Sequence, residues 1–250
     1  MSADRELKIW FVGPVAEHYD ASTGYEHVPE VIESTVDFLA ALVGDGRALE
    51  LAIGTGRIAV PLRRRGVPVA GIELSEEMVA VLQQKPGAAD IEVVIGDMAE
   101  ARVEGTFSLA FLVFNTIGNL TSQDWQVECF VNAARHLAVG GHFVIEVLIP
   151  PLRRLPQGQR FVPFDVSATH VGVDELDVTT QMGTSHHFYI GEGKGRVFAM
   201  PWRYVWPSEL DLMARIAGME LRERWADWER RPFTAESYQH VSVWEKVSSA

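Results

Sequence analysis

A chain of 250 residues, 47% of them apolar, can bury a full core as one α/β domain with an insertion or as two small domains. Its formal net charge of −12 argues against nucleic acid and anionic membranes as partners, because lysine and arginine must neutralise phosphates there. One cysteine, Cys129, excludes an internal disulfide and any multi-cysteine metal site, and no stretch reads as a signal peptide or a bilayer span, so the expectation is a soluble, cytoplasmic protein that handles a small molecule.

Residues 1–27 mix Trp10, Phe11, Tyr19 and Tyr25 with polar residues, and Gly13, Pro14 and Gly24 interrupt any long helix. They read as a surface arm with aromatic anchors. Val31, Ile32, Val36, Leu39, Leu42 and Val43 then recur at helical spacing until Gly44. An apolar strand over 48–53 leads into Gly54 and Gly56 and a helix expected over 55–65, with Pro61 expected to remove one backbone bond and bend it. Such a strand, glycine turn and helix start lets backbone N–H groups approach an anionic or polar ligand closely. Arg57, placed in the first turn of that helix, opposes the macrodipole, so Glu50 or a ligand carboxylate should offset it. Arg63, Arg64 and Arg65 complement the dipole at the other end.

A second strand, 67–72, ends at Glu73, followed by Ser75, Glu76 and Glu77 as a helix start. An acid about twenty residues past a glycine turn is where α/β nucleotide folds bind ribose hydroxyls, since a carboxylate accepts two hydrogen bonds from a vicinal diol. Strand 91–95 ends at Gly96-Asp97-Met98, an acid beside an apolar side chain that suits an exocyclic amine and the face of an aromatic base. Strand 107–114 ends at Asn115, helix 123–138 follows with Cys129 beside its apolar face as packing, and Gly140-Gly141 turns into strand 142–149. Five strands alternating with helices imply parallel pairing, with Glu50, Gly54, Gly56, Glu73, Asp97 and Asn115 together at the C-terminal strand ends.

These residues resemble the class I S-adenosylmethionine-dependent methyltransferases over roughly residues 17–149 and the C-terminal elements, and most resemble the bacterial enzymes that modify small metabolites. The family pattern acid-x-Gly-x-Gly-x-Gly is matched by Glu50, Gly54 and Gly56, with Ala52 in the first glycine place, where alanine fits the turn if φ stays negative. The resemblance implies that Glu73 holds the ribose diol, Leu74 and Met98 sandwich the adenine with Met78 nearby, and Asp97 accepts from the adenine N6 amine. It also implies that Asn115 lies near the methionyl part and that Tyr19, in the Glu-His-Tyr-Asp run, reaches the cofactor carboxylate; Arg57 joins these cofactor residues on the dipole argument above. The implied cofactor is S-adenosyl-L-methionine, and the partner a small-molecule methyl acceptor, with a homodimer left open.

Past strand five, residues 151–206 read as an antiparallel insertion of three strands near 164–173, 176–190 and 196–206, with Gly191–Gly195 as a hairpin turn. A helix over 208–217 and a terminal antiparallel pair follow. The expected fold is therefore α/β, a doubly wound Rossmann-like, seven-stranded, mostly parallel sheet of order 3-2-1-4-5-7-6. It forms a single domain over 1–250, with the insertion as a β cap over the acceptor. The expected reaction is direct in-line methyl transfer to an N or O atom, with His18, His186, His187 or Tyr204 available as base for a hydroxyl. Adjacent His186 and His187 point to opposite faces of a strand, so at most one looks inward. No histidine spacing makes a metal site. Two rival readings share parts of this pattern. An NAD(P)-dependent Rossmann oxidoreductase leaves Asp97-Met98 without a role, and a non-catalytic S-adenosylmethionine-binding protein leaves the aromatic-rich insertion without one.

Overall fold

The structure, a computed structural model, describes residues 11–21, 24–191 and 195–247. The expected anchor Trp10 and the hairpin tip at 192–194 lie outside the described residues. The first half alternates α1 (Pro14–Glu17), α2 (Pro29–Val43), β1 (Ala48–Leu51), α3 (Ala59–Arg64), β2 (Val69–Glu73), α4 (Glu76–Gln83), β3 (Glu92–Ile95), β4 (Phe107–Leu112), α5 (Gln123–His136) and β5 (Leu137–Leu148). The five strands pair in parallel. After the insertion, α6 (Pro207–Ile216) leads to the two closing strands at Met219–Trp225 and Gln239–Lys246, the second of which pairs antiparallel to β5.

The insertion holds four strands, β6 (Phe161–Val166), β7 (His170–Asp177), β8 (Met182–Tyr189) and β9 (Arg196–Arg203), in a separate antiparallel sheet. Three had been expected. Polar turns at 167–169 and 178–181 divide the first two expected runs. In the first, Ser167 N–H donates to the His170 carbonyl at 2.8 Å. In the second, the Asp177 carboxylate accepts from Thr179 and Thr180, and Gln181 takes φ +59°. Threonine's preference for strands masks that turn in the sequence. The closing strands are accordingly β10 and β11, and the main sheet runs β3-β2-β1-β4-β5-β11-β10. This corrects the numbering of the expected 3-2-1-4-5-7-6: the same C-terminal pair fills the last two places, as the eleventh and tenth strands.

Both faces of the main sheet are covered, so β1 and β2 are buried along their whole lengths. On one face Phe130 of α5 packs edge-on against Phe143 and Trp244, with ring centroids 5.1 and 5.4 Å away. On the other, Phe38 and Leu39 of α2 and Ile58 and Leu62 by α3 cover Val144 and Val243. Each such buried side chain contributes about 1.5–3 kcal/mol.

Three local expectations change. Helix α3 is shorter than 55–65 and starts at Ala59, so Arg57 precedes the helix instead of lying in its first turn. Pro61 then sits in that first turn, where a missing N–H costs nothing, and no bend is required. The strand expected from 142 is extended back to Leu137, although Gly140, at φ +84°, still bends the chain and the regular pairing with β4 and β11 begins at His142.

Candidate functional site

The C-terminal tips of β1, β2 and β4 and the short loop after β3 meet at one edge of the sheet. Glu50, at the third position of β1, is fully buried, and one carboxylate oxygen accepts the Ala59 N–H. The other, Oε2, has no hydrogen-bond partner. Burial pushes the Glu50 carboxyl up to about 8, against the pull of the Arg57 guanidinium. Ala52 adopts φ +54°, so the expected negative φ is not found, and an L-residue in this conformation costs roughly 1–2 kcal/mol. Gly54 and Gly56 also have positive φ, +57° and +75°. A Cβ on Gly56 would lie 2.9 Å from Leu82 Cδ1, and one on Gly54 would lie 3.3 Å from Met78 Cε. Met78 therefore packs beneath the turn.

Glu73 closes the turn from β2. Its two carboxylate oxygens accept the Gly54 N–H at 2.8 Å and the Ser75 N–H at 2.9 Å, leaving further lone pairs on each. Burial pushes this carboxyl up, and those amides pull it back. Ser75 caps α4 as expected, its Oγ accepting the Met78 N–H at 3.3 Å, while Leu74 beside it is half-buried. Asp97 and Met98 are buried together at the β3 tip, with Asp97 Oδ1 accepting the Ala99 N–H at 2.8 Å. Glu73 and Asp97 thus stand at the ends of adjacent strands.

Beyond β4 the chain makes two consecutive left-handed residues, Phe114 at φ +64° and Asn115 at φ +55°. Glu146 of β5 holds them: its Oε2 accepts the Phe114 N–H at 3.0 Å, its backbone carbonyl accepts the Asn115 N–H at 3.0 Å, and Trp228 Nε1–H donates to its Oε1 at 3.0 Å. Asn115 Oδ1 accepts the Leu148 N–H at 3.1 Å. The sequence reading passed over Glu146, whose signal is a lone charge inside the apolar run 143–148.

The N-terminal arm lies across this edge. Thr55 Oγ1, between the two glycines, donates to Asp20 Oδ1 at 2.7 Å, and Lys85 pairs with Asp20 Oδ2 at 2.6 Å. Ser75 Oγ donates to the Phe11 carbonyl at 2.6 Å, and Gly13 N–H donates to the Glu77 carboxylate. Arg57 donates to the Glu26 carbonyl at 2.6 Å and stacks 5.1 Å over the Phe114 ring. Those contacts offset the cation. Tyr19 packs edge-on against Phe11 and His27 at 5.9 and 5.4 Å. Burial pushes its phenol up, so it keeps its O–H donor at neutral pH.

The four-stranded sheet meets this edge at Gly118, where a Cβ would lie 3.3 Å from the Arg203 carbonyl and 3.8 Å from Trp202 Cβ. Arg203 is anchored to Gln126 at 2.5 Å and Glu209 at 2.7 Å. His186 and His187 do point to opposite faces: His186 contacts Glu175 at 3.1 Å, whereas His187 Nδ1 lies 3.0 Å from His170 Nε2, whose Nδ1 meets Asp165 at 2.5 Å. Tyr204 is buried and donates its hydroxyl to the Asp177 carbonyl at 3.4 Å, which commits that oxygen away from a base role. His18 is exposed. Among the described residues no group of three or more His, Cys, Asp or Glu could hold a metal, and no helix is long and apolar enough to cross a membrane.

Comparison with known proteins agrees with this arrangement. Residues 48–141 match the profile of a methyltransferase domain. The chain is similar to the CcbJ methyltransferase of Streptomyces caelestis, 38% identical, with 94% of this chain and 96% of that one covered and a TM-score of 0.84. It is 26% identical to the cypemycin N-terminal methyltransferase of a Streptomyces species, over 81% of this chain and 84% of the relative. The fold is also that of CalS10, an amino pentose methyltransferase of Micromonospora echinaspora solved with S-adenosylmethionine, at a TM-score of 0.69 and 18% identity over 97% of this chain and 100% of that one.

Proposed function

Because the chain belongs to the class I S-adenosylmethionine-dependent methyltransferases, with S-adenosylmethionine as its cofactor, we propose that it methylates an amino nitrogen of a small metabolite by direct in-line transfer. The observation that carries the seating of the cofactor is the unpartnered Oε2 of Glu50, buried beside the glycine turn at the same sheet edge as Glu73 and Asp97. A buried carboxyl oxygen without a partner fits an ammonium group, which the methionyl part of the cofactor bears and whose arrival would favour loss of the Glu50 proton. In this reading Glu50, Ala52, Gly54, Gly56, Arg57 and Asn115 surround the methionyl end, and Tyr19 reaches its carboxylate. Glu73 accepts from the ribose hydroxyls, Leu74, Met78 and Met98 flank the adenine, and Asp97 takes its N6 amine.

When bound, the cofactor supplies a methyl group activated by positively charged sulfur. The protein's own part is alignment and exclusion of water: the arm covers the glycine turn, and holding two reactants in line is worth roughly 7–11 kcal/mol of barrier. The insertion at 151–206 serves as the acceptor cap of a single domain, with Trp202 reaching Gly118 beside Asn115. One relative supports nitrogen as the target, since its name specifies an N-terminal methyltransferase. The acidic balance of the chain, −12, also attracts amines and repels polyanions.

Incubation with isotopically labelled S-adenosylmethionine and a panel of amino sugars, simple amines and phenols tests this reading. Label is expected in amines and absent from phenols. Label confined to phenols would overturn the choice of nitrogen. Silence across the panel, with S-adenosylhomocysteine binding intact in calorimetry, would favour a non-catalytic binding protein.

A further inference from the structure

Among the described residues, three buried side-chain atoms without a hydrogen-bond partner belong to two residues of one locality: Oε2 of Glu50 and both ring nitrogens of His27. Arg57 joins them, since its guanidinium acts on Glu50 and donates to the carbonyl of Glu26, the residue next to His27. The His27 side chain is only 10% exposed. Glu26 Oε1 stands 3.2 Å from its Nδ1, outside hydrogen-bond alignment, and the Tyr19 ring packs edge-on 5.4 Å away. Leaving a buried imidazole nitrogen unsatisfied costs about 1–3 kcal/mol, and a native structure that keeps one calls for an explanation at that spot.

We propose that His27 is a catalytic base for the acceptor: its Nε2 takes a proton from the incoming ammonium group. This rests on the amine reading given above. An amine enters as an ammonium ion at neutral pH and has no lone pair to offer a methyl carbon. In the step inferred here the N–H bond breaks, its electron pair stays on nitrogen as the lone pair, and the proton passes to Nε2. His27 becomes an imidazolium, with the Glu26 carboxylate beside Nδ1 to stabilise it. The charged and titratable groups around the ring are Glu26, Asp20, Tyr19 and, behind the Glu26 carbonyl, Arg57. None of them blocks Nε2 with a hydrogen bond. The segment is also well placed, because the bonds from Thr55 to Asp20 and from Arg57 to Glu26 fix the arm on the glycine turn on both sides of Tyr19 and His27.

The test needs no acceptor. Sinefungin, which carries an ammonium group where the cofactor carries its transferable methyl, and S-adenosylhomocysteine, which carries nothing there, are titrated calorimetrically against the full chain and its His27→Phe and His27→Gln variants. A charge-assisted hydrogen bond to Nε2 should make the preference for sinefungin fall about ten- to hundredfold in His27→Phe. It should recover in part in His27→Gln, whose amide oxygen can accept. Affinity for S-adenosylhomocysteine should stay within about twofold, the scale set by losing no charged contact. An unchanged preference in His27→Phe overturns the proposal. Should that variant fail to fold, side-chain nitrogen resonances of the wild type decide. Sinefungin must shift the His27 Nε2 signal and S-adenosylhomocysteine must not, and no shift with sinefungin overturns the proposal. If the wild type binds neither ligand, the cofactor assignment itself fails, and the two failures are told apart.

Discussion

Glu50 couples binding to stability. Its carboxyl, ordinarily near 4.5, is pushed up to about 8, so the folded chain holds a proton that the unfolded chain releases. That contribution is full below pH 4.5 and is lost at about 1.4 kcal/mol per pH unit as pH rises toward 8. Glu50→Gln should flatten this loss. Denaturant unfolding at pH 5 and pH 8 should show the variant gaining on the wild type at the higher pH, while calorimetry shows at least a roughly tenfold weaker affinity for S-adenosylhomocysteine, the value of one charge-assisted bond. Ala52 gives a second expectation. Alanine to glycine normally destabilises, but at φ +54° relief of roughly 1–2 kcal/mol outweighs the entropy cost of about 0.4–1 kcal/mol. Thermal melting of Ala52→Gly should therefore show an unchanged or raised midpoint, and a clear drop would contradict the strain. The acids at the strand tips were legible because a strand end can be read from pattern. His27 and Glu146 were not, because what marks them is a missing partner in one case and a bond across 32 residues in the other.

Where an element's pattern is strong, the chain declares it. The helix at 29–43 and the Ser75 cap are found where periodicity and capping chemistry put them. Boundaries blur where propensity and turn chemistry disagree, as at Asp177–Gln181, where threonines suited to a strand instead bond to an aspartate. The arm is the element whose role depends most on tertiary contacts. Asp20 receives both Thr55 and Lys85, so Asp20→Ala should weaken S-adenosylhomocysteine binding about five- to thirtyfold, the range of one or two lost hydrogen bonds. The melting midpoint should barely move, because the arm contributes little to the two main cores. A large drop in the midpoint would make Asp20 a structural residue instead.

For the whole molecule, burial of neutral histidines sets the acid limit. His240 is fully buried on β11, its Nδ1 bonded to Ser242 at 2.8 Å, and burial pulls its ring down to about 3 from the ordinary 6.5. Burial also lowers His136 and His187. A depressed histidine takes up protons first in the unfolded chain, so its stabilising effect is complete above pH 6.5 and is lost as pH falls toward 3. His240→Asn should remove about 1.4 kcal/mol per pH unit from the acid limb, measured by unfolding between pH 6.5 and 4. A limb as steep as the wild type's would place the titration elsewhere. The strap formed by residues 11–21 and 24–28 has a kinetic corollary. In the proposed reading, the bonds from Thr55, Ser75 and Arg57 lie over the seat of the nucleoside, and release of the spent cofactor would require them to break. Steady-state turnover should then slow in proportion to the viscosity of added sucrose, while a single turnover from the preloaded complex keeps its rate.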